Sequence, residues 1–344
     1  MSQSSTPVHA HDLLLVGGGA AALGALCTLI RTGRAEDTSV LMLDDNPSDC
    51  GRSGAYAHSY DVPVGTLLAC LDGLPDAIRD DEELAQRVRE LGASDCRAAR
   101  PHVEAFLARL KRLVLNRLRR SQTLILRAAR CDTLRHEDGL WRVDNQPGSA
   151  SRHALLACGA SEKKTEILAD LLECGLAPEE LDRVVASADA LGREREAVLN
   201  RRASARHTVI LGRNRAAADA VQRQLGDWTG AQALSDPDIR IMGEPGLKAV
   251  LQRADLIITT LGVSPNLPRI LVDGQAAKFG GPARVDSQAR LTDRTGLTLP
   301  SLTVSGPGLG CTAEPDVTQD LTRWFGEDGA RAVGMGAYAL ADAA

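Results

Sequence analysis

Three consecutive glycines at residues 17–19 limit the fold of this chain more than any other sequence feature. They follow a continuous apolar run at residues 13–16, which is typical of a strand buried on both faces. Residues 20–30 are small and apolar at helical spacing, and residues 39–43 form a second apolar run. The order of strand, glycine turn, helix and strand predicts a βαβ unit, and therefore an α/β fold.

The glycine turn has the residue types that a dinucleotide requires. Gly17 permits the torsions of a tight turn, Gly19 lets a pyrophosphate approach the main chain, and Ala22 lets the helix pack close to the strand. The helix N-terminus offers amides and a positive dipole end to phosphates. Asp44 ends the second strand, where a carboxylate can accept both ribose hydroxyls of an adenosine. The alternative is a glycine-rich turn in an ordinary βαβ unit. The predicted cofactor contacts of this unit are Gly17, Gly18, Gly19, Ala20, Ala21, Ala22, Asp44 and Asp45.

Composition excludes several classes of partner. The net charge of -5 and an aromatic content of 3% argue against a nucleic-acid partner, because few side chains could neutralise phosphates or stack on bases. The polar N-terminus has no basic flank, so we expect a disordered tail and no signal peptide. No apolar run reaches membrane-spanning length. We therefore expect a cytoplasmic protein without a membrane partner.

The eight cysteines indicate neither a metal site nor a disulfide framework. None form a CxxC motif, and no Cys/His cluster has zinc spacing. Without a secretory signal, we expect reduced thiols in the cytoplasm. The sequence thus predicts no metal site.

Residues 46–63 read as a loop at the edge of the sheet where ligands bind. Within it, His58 is the best single candidate for a polar catalytic group beside a cofactor ring, and a solvated surface loop is the alternative. Residues 64–120 are predicted to be helical, with an amphipathic helix from Pro101. Its basic residues, Lys111 among them, are expected to form a solvated helix end.

The second half of the chain contains further strands that end in glycine. Residues 122–160 predict strands and a hairpin, the last strand ending at Gly159, and residues 161–205 look charged and helical. A second strand-turn-helix follows at residues 207–226, and a strand is predicted at residues 238–242. Glycines end the later apolar strands at Gly159, Gly262 and Gly306, and Gly212 opens the second turn.

This order of parts resembles the two-dinucleotide-binding-domain flavoproteins, the group of glutathione-reductase-like and thioredoxin-reductase-like enzymes and flavin N-hydroxylases. The FAD glycine motif of the group matches the first βαβ unit, and its Ala-Thr-Gly strand end matches Ala157-Cys158-Gly159. Its NAD(P) glycine motif is matched only partly, since Asn214 replaces the second glycine. The final Gly-Asp that touches the flavin matches Gly306, but Pro307 replaces the aspartate. Without a CxxC, the chain is nearer the N-hydroxylases than the disulfide reductases. The resemblance implies further cofactor contacts at the matching positions: Gly159, Gly212, Asn214, Gly262, Gly306 and Gly308.

The resemblance implies a fold, a cofactor and a reaction class. The fold would be α/β, with a discontinuous FAD-binding Rossmann-like domain (residues 1–160 and 265–344) and a smaller inserted NAD(P)-binding-like domain (residues 161–264). The function would be that of an FAD-dependent oxidoreductase, reduced by NAD(P)H and acting on a small molecule as a monooxygenase. Three alternatives stay open: an FAD oxidase or dehydrogenase reduced by its own substrate, a nicotinamide-only dehydrogenase, and a non-catalytic FAD-binding accessory protein. NAD(P)H use, the substrate and the oligomeric state stay undecided.

Overall fold

The computed structural model describes part of the chain, and the elements that follow lie within that part. The described residues are 10–47, 62–92, 97–98, 100–162, 171–172, 177, 184–186, 205–212, 231–260, 263–278, 284–286, 290–293, 295–296, 298–306 and 325–326.

The described helices lie in three stretches of the sequence. They are α1 (Ala20–Arg31), α2 (Val64–Ala69), α3 (Asp76–Arg79), α4 (Glu82–Gly92), α5 (Arg100–Arg120) and α6 (Asp236–Arg253), with a 3-10 turn at Arg34–Glu36.

Along the chain, the described strands lie before, between and after these helices. They are β1 (His11–Val16), β2 (Val40–Asp44), β3 (Val62–Pro63), β4 (Arg97–Ala98), β5 (Leu124–Ala128), β6 (Thr133–Glu137), β7 (Leu140–Val143), β8 (Ser151–Leu156), β9 (Ala160–Glu162), β10 (Val184–Ala186), β11 (Thr208–Gly212), β12 (Ala231–Ser235), β13 (Leu256–Thr260), β14 (Val263–Pro265), β15 (Arg269–Val272), β16 (Gln275–Ala276), β17 (Arg284–Val285), β18 (Arg290–Thr292) and β19 (Thr298–Val304).

The centre of the larger sheet is a run of parallel strands in the order β5, β2, β1, β8, β19. The chain moves outward from β1 through β2 to β5, and then returns to the other side of β1 with β8. The strand order therefore reverses between β1 and β8. In open α/β sheets, ligands bind at the carboxyl ends of the strands at such a reversal.

The strands β6, β7, β15 and β16 extend the larger sheet beyond β8, and β17 and β18 add to β19. The β6–β7 hairpin turns at Asp138 and Gly139, both of which have positive φ. This confirms the hairpin predicted from the Glu-Asp-Gly sequence.

A second, separate sheet is formed later in the chain. Its four strands are all parallel and lie in the order β10, β13, β11, β12. The two connections between the sheets, β9 and β14, pair with each other in antiparallel register. The chain thus leaves the first sheet and returns to it along adjacent strands.

The two faces of the larger sheet are buried in different cores. Helices α1 and α5 cover one face, where Leu26 and Phe106 are almost fully buried. The other face packs its aliphatic side chains around Trp141, which is completely buried. Because β1 and β2 are covered on both sides, their sequences are continuous apolar runs rather than alternating ones.

Two predictions of secondary structure differ from the structure. Residues 238–242, predicted as a strand, lie in α6; a capping box between Ser235 and Asp238 starts this helix, and the strand is β12, just before it. The capping box favours a helix more strongly than the short apolar run favours a strand. Residues 161–205, predicted to be helical, are helical at residues 171–172 but contain the strand β10, whose valines pair with the buried β13; most of this segment lies outside the described residues.

Candidate functional site

The glycine turn lies where the strand order reverses. Gly17 follows β1 directly, its N–H donates to Leu43 O at 2.8 Å, and α1 begins three residues later. Ala157, just after β8, donates its N–H to Val16 O at 2.8 Å. The turn is therefore held between the ends of β2 and β8, at the edge where the topology predicts a ligand.

Gly17 is required by the backbone itself. Its φ is +97°, a conformation that L side chains rarely adopt. A Cβ on this residue would lie 2.3 Å from Ala157 O. The backbone fixes the position of a Cβ, and Ala157 O is a main-chain atom, so no side-chain rotation could relieve this contact. Gly17 therefore allows the turn to lie close to the end of β8.

The start of α1 is open to an anion. Gly19, the N-cap, has no side chain, and the first turn of the helix contains no acidic residue. Ala20, Ala21 and Ala22 are buried, and their small side chains let α1 pack closely on the sheet. The free amides and the positive dipole end of α1 therefore face the position where a pyrophosphate would lie.

The carboxylate of Asp44 is paired with a buried lysine. Asp44 Oδ2 accepts a hydrogen bond from Lys111 Nζ at 2.8 Å, and the two side chains are only 7% and 3% exposed. Asp44 Oδ1 accepts the N–H of Asn46 at 3.2 Å. Removing one member of a buried ion pair leaves an uncompensated charge, which typically costs about 3–5 kcal/mol. Asp45, in contrast, is exposed.

The ion pair explains why residue 18 is a glycine. A Cβ on this buried glycine would lie 1.7 Å from Asp44 Oδ2 and 2.7 Å from Lys111 Nζ. Gly18 therefore leaves the space in which the carboxylate and the ammonium meet beneath the turn. Lys111 was expected from the sequence to be solvated, and this expectation was wrong. The sequence spacing could have predicted its burial, because Lys111 occupies the buried stripe of α5 that contains Leu107, Val114 and Leu118.

Two further predicted residues lie at the same edge of the sheet. Gly306 follows β19, and a Cβ on it would lie 3.0 Å from the Cβ of Ala21 in α1. Gly159 lies beyond β8, and its carbonyl accepts the N–H of Asn266 at 3.1 Å. Ser305, which precedes Gly306, is buried, and its Oγ has no hydrogen-bond partner among the described residues. A ligand at this edge would find a free hydroxyl there.

Gly212 belongs to the second sheet rather than to this edge. It ends β11, which has the parallel neighbours β12 and β13. The remaining predicted site residues, His58, Asn214, Gly262 and Gly308, lie outside the described residues.

Three of the described cysteines are poor nucleophiles. Burial raises the pKa of Cys70, Cys131 and Cys158 to about 12 in each case. Their thiols are therefore protonated at neutral pH, whereas thiol–disulfide exchange requires a thiolate. Within the described part of the chain, no group of three His, Cys, Asp or Glu side chains could hold a metal ion. Among the described helices, none combines the length and the apolar character needed to cross a membrane.

Comparison with known proteins reveals similarity in structure alone. No protein-family model matches the sequence, and no curated protein matches it. The reduced form of ornithine hydroxylase from Pseudomonas aeruginosa matches 96% of this chain and 98% of its own, with a TM-score of 0.52 and 13% identity. Thioredoxin reductase from Lactococcus lactis matches 96% of this chain and 99% of its own, with a TM-score of 0.51 and 12% identity.

Both matches extend over nearly the whole of each chain. At these identities the similarity is one of fold: the chain has the same α/β, Rossmann-like fold as these two structures. In this fold, the turn at residues 17–19 lies at the reversal of the first sheet. The predicted resemblance and fold class are thus confirmed, although the sequence identities are low.

Proposed function

We propose that this chain is an FAD-dependent oxidoreductase that binds the cofactor at the glycine turn of the larger sheet. The observation that carries the proposal is the open N-terminus of α1 at the strand-order reversal, with Asp44 at the end of the neighbouring strand. Gly19 and the α1 amides would hold the pyrophosphate, and Asp44 would accept a ribose hydroxyl. Gly159 and Gly306 would line the path toward the ring, and Asp45 would lie at its entrance.

The two sheets support the proposed division into domains. The FAD-binding domain would contain residues 1–160 and 265–344, and residues 161–264 would form the inserted NAD(P)-binding-like domain. The paired strands β9 and β14 lie at the two proposed crossings. In the second sheet the order reverses between β11 and β13, and Gly212 ends β11 there. This is the position at which a nicotinamide dinucleotide would bind.

We further propose that NAD(P)H reduces the flavin and that the substrate is a small molecule, as in a monooxygenase. Bound FAD would supply the hydride and oxygen chemistry, and the protein would supply position and electrostatics. Disulfide reduction is disfavoured, because the sequence has no CxxC and the thiols of Cys70, Cys131 and Cys158 have a raised pKa. His58 stays a candidate for the polar group beside the flavin.

The proposal is tested with an absorbance spectrum of the freshly purified protein, followed by anaerobic addition of NADPH and then NADH. Bands near roughly 370 and 450 nm would identify bound flavin. Bleaching by either nucleotide supports an NAD(P)H-dependent reductase or monooxygenase, and oxygen consumption would then separate these two. A yellow protein that neither nucleotide bleaches would support an oxidase reduced by its own substrate. A colourless protein that takes up no added FAD would refute the proposal.

A further inference from the structure

The buried pair of Asp44 and Lys111 lies directly beneath the glycine turn. A side chain on Gly18 would meet both the carboxylate and the ammonium, so both charged groups contact the backbone of this turn. The two residues are 67 positions apart, and α5 delivers the lysine to the end of β2. An ion pair placed at a proposed ribose site affects how that site recognises a ligand.

The hydrogen bonds of Asp44 divide its two oxygens between different tasks. Lys111 holds Oδ2, whereas Oδ1 accepts only the longer bond from the Asn46 N–H among the described contacts. A carboxylate oxygen has two lone pairs, so Oδ1 keeps one for a further donor. Fixing Oδ2 also prevents the carboxylate from rotating, and a fixed acceptor binds a hydroxyl at lower entropic cost.

The ammonium also changes the charge at the turn. An unpaired carboxylate beside Gly18 would repel a pyrophosphate at the start of α1, because like charges at short range are unfavourable. Lys111 neutralises this carboxylate without presenting its own charge to solvent, since its side chain is only 3% exposed.

Resting on the proposed function, we propose that Lys111 is a positioning residue for the adenosine ribose. It holds Asp44 Oδ2 beneath Gly18, so that Oδ1 is presented to a ribose hydroxyl. Lys111 acts through Asp44 and does not contact the nucleotide itself. The ability of the site to recognise the 2′-hydroxyl therefore depends on Lys111 as well as on Asp44.

The test uses the full chain freed of flavin, with ADP and 2′-deoxy-ADP competing against FAD in a flavin-fluorescence titration. We expect wild type to bind ADP about tenfold more tightly than 2′-deoxy-ADP, since a hydrogen bond to a charged group would be lost. In Lys111→Met, the two affinities should differ by less than about twofold, because Oδ1 is no longer held in place.

The matched control is Arg109→Met on the same helix. Arg109 also pairs with a carboxylate, at 2.7 Å from Asp81, but this pair does not involve the glycine turn. The Arg109→Met variant should keep the full preference for ADP over 2′-deoxy-ADP. A loss of preference in Arg109→Met equal to that in Lys111→Met would overturn the proposal, because the effect would then be one of helix stability.

A second comparison covers the case in which Lys111→Met does not fold. Asp44→Leu/Lys111→Met removes both charges, so no buried charge is left without its partner. With Asp44 absent there is no carboxylate for Lys111 to position, so the double variant should bind ADP and 2′-deoxy-ADP with affinities that differ by less than about twofold. A double variant that keeps the tenfold preference for ADP would overturn the proposal, because the 2′-hydroxyl would then be recognised without this pair.

Failure of the inference is distinguishable from failure of the proposed function. A wild-type chain that binds FAD, but binds ADP and 2′-deoxy-ADP equally, overturns the role of Lys111 and leaves the FAD site in place. A wild-type chain that binds no FAD overturns the function, and the inference with it.

Discussion

Gly17 and Gly19 are two glycines of one turn, and the structure gives them different tasks. Gly17 has a φ of +97° and is packed against the carbonyl of Ala157, whereas Gly19 has a φ of −73° and a ψ of −172°, which any residue adopts. Gly17→Ala should therefore damage the fold. Gly19→Ala should leave the fold intact and damage cofactor binding.

The expected loss of folding stability in Gly17→Ala is the sum of two free-energy costs. Forcing an alanine into left-handed backbone costs about 1–2 kcal/mol. The new Cβ, 2.3 Å from Ala157 O, also forces backbone shifts, and such overpacking costs about 1–3 kcal/mol. Together these predict a loss of about 2–5 kcal/mol, a large fraction of the typical stability of about 5–15 kcal/mol.

For Gly19→Ala, the ordinary backbone predicts a stability within about 0.5 kcal/mol of wild type. FAD affinity should fall by about tenfold or more, since a side chain would occupy the position where the pyrophosphate meets the main chain. Urea unfolding followed by circular dichroism measures the first effect, and flavin-fluorescence titration the second. A Gly17→Ala protein as stable as wild type, or a Gly19→Ala protein with full FAD affinity, would refute the reasoning.

Three further predictions concern other parts of the chain. The hydrogen bond from Arg109 lowers the pKa of Asp81 below its ordinary value of 3.8, so this ion pair stabilises the fold above that pH and the contribution is lost as the pH falls below it. Thermal unfolding of wild type and Arg109→Met should therefore differ by about 1 kcal/mol or less at pH 7 and converge toward pH 3; a gap that widens in acid would contradict this. Ser235→Ala should destabilise the second sheet by about 1 kcal/mol in urea, through loss of the α6 capping box, whereas an unchanged midpoint would show that the cap contributes nothing. In a thiol-reagent assay near neutral pH, the buried thiols of Cys70 and Cys131, whose pKa values are raised, should react only after unfolding, and fast labelling of either in the native protein would contradict their burial.

Local sequence predicted the first βαβ unit almost residue for residue. The apolar run before the glycines became β1, the small apolar segment became α1, and the run ending in Asp44 became β2. These elements were predictable because continuous apolar runs, helical periodicity and glycine act over a few residues. The same reasoning failed at residues 238–242, where a strand was predicted and the capping box of α6 determined a helix.

The order of the strands in the sheet and the partner of Asp44 were determined only by tertiary structure. Nothing near Asp44 in the sequence indicates that its carboxylate pairs with a lysine 67 residues away. A charged residue in the buried stripe of α5 signalled that some partner was required, but only the packing of α5 against the end of β2 decided which one. The sequence by itself thus determined the elements and the glycine turn, because these depend on local backbone preferences and periodicity. The tertiary structure decided which charges meet beneath that turn, because a buried ion pair depends on groups brought together by the whole fold.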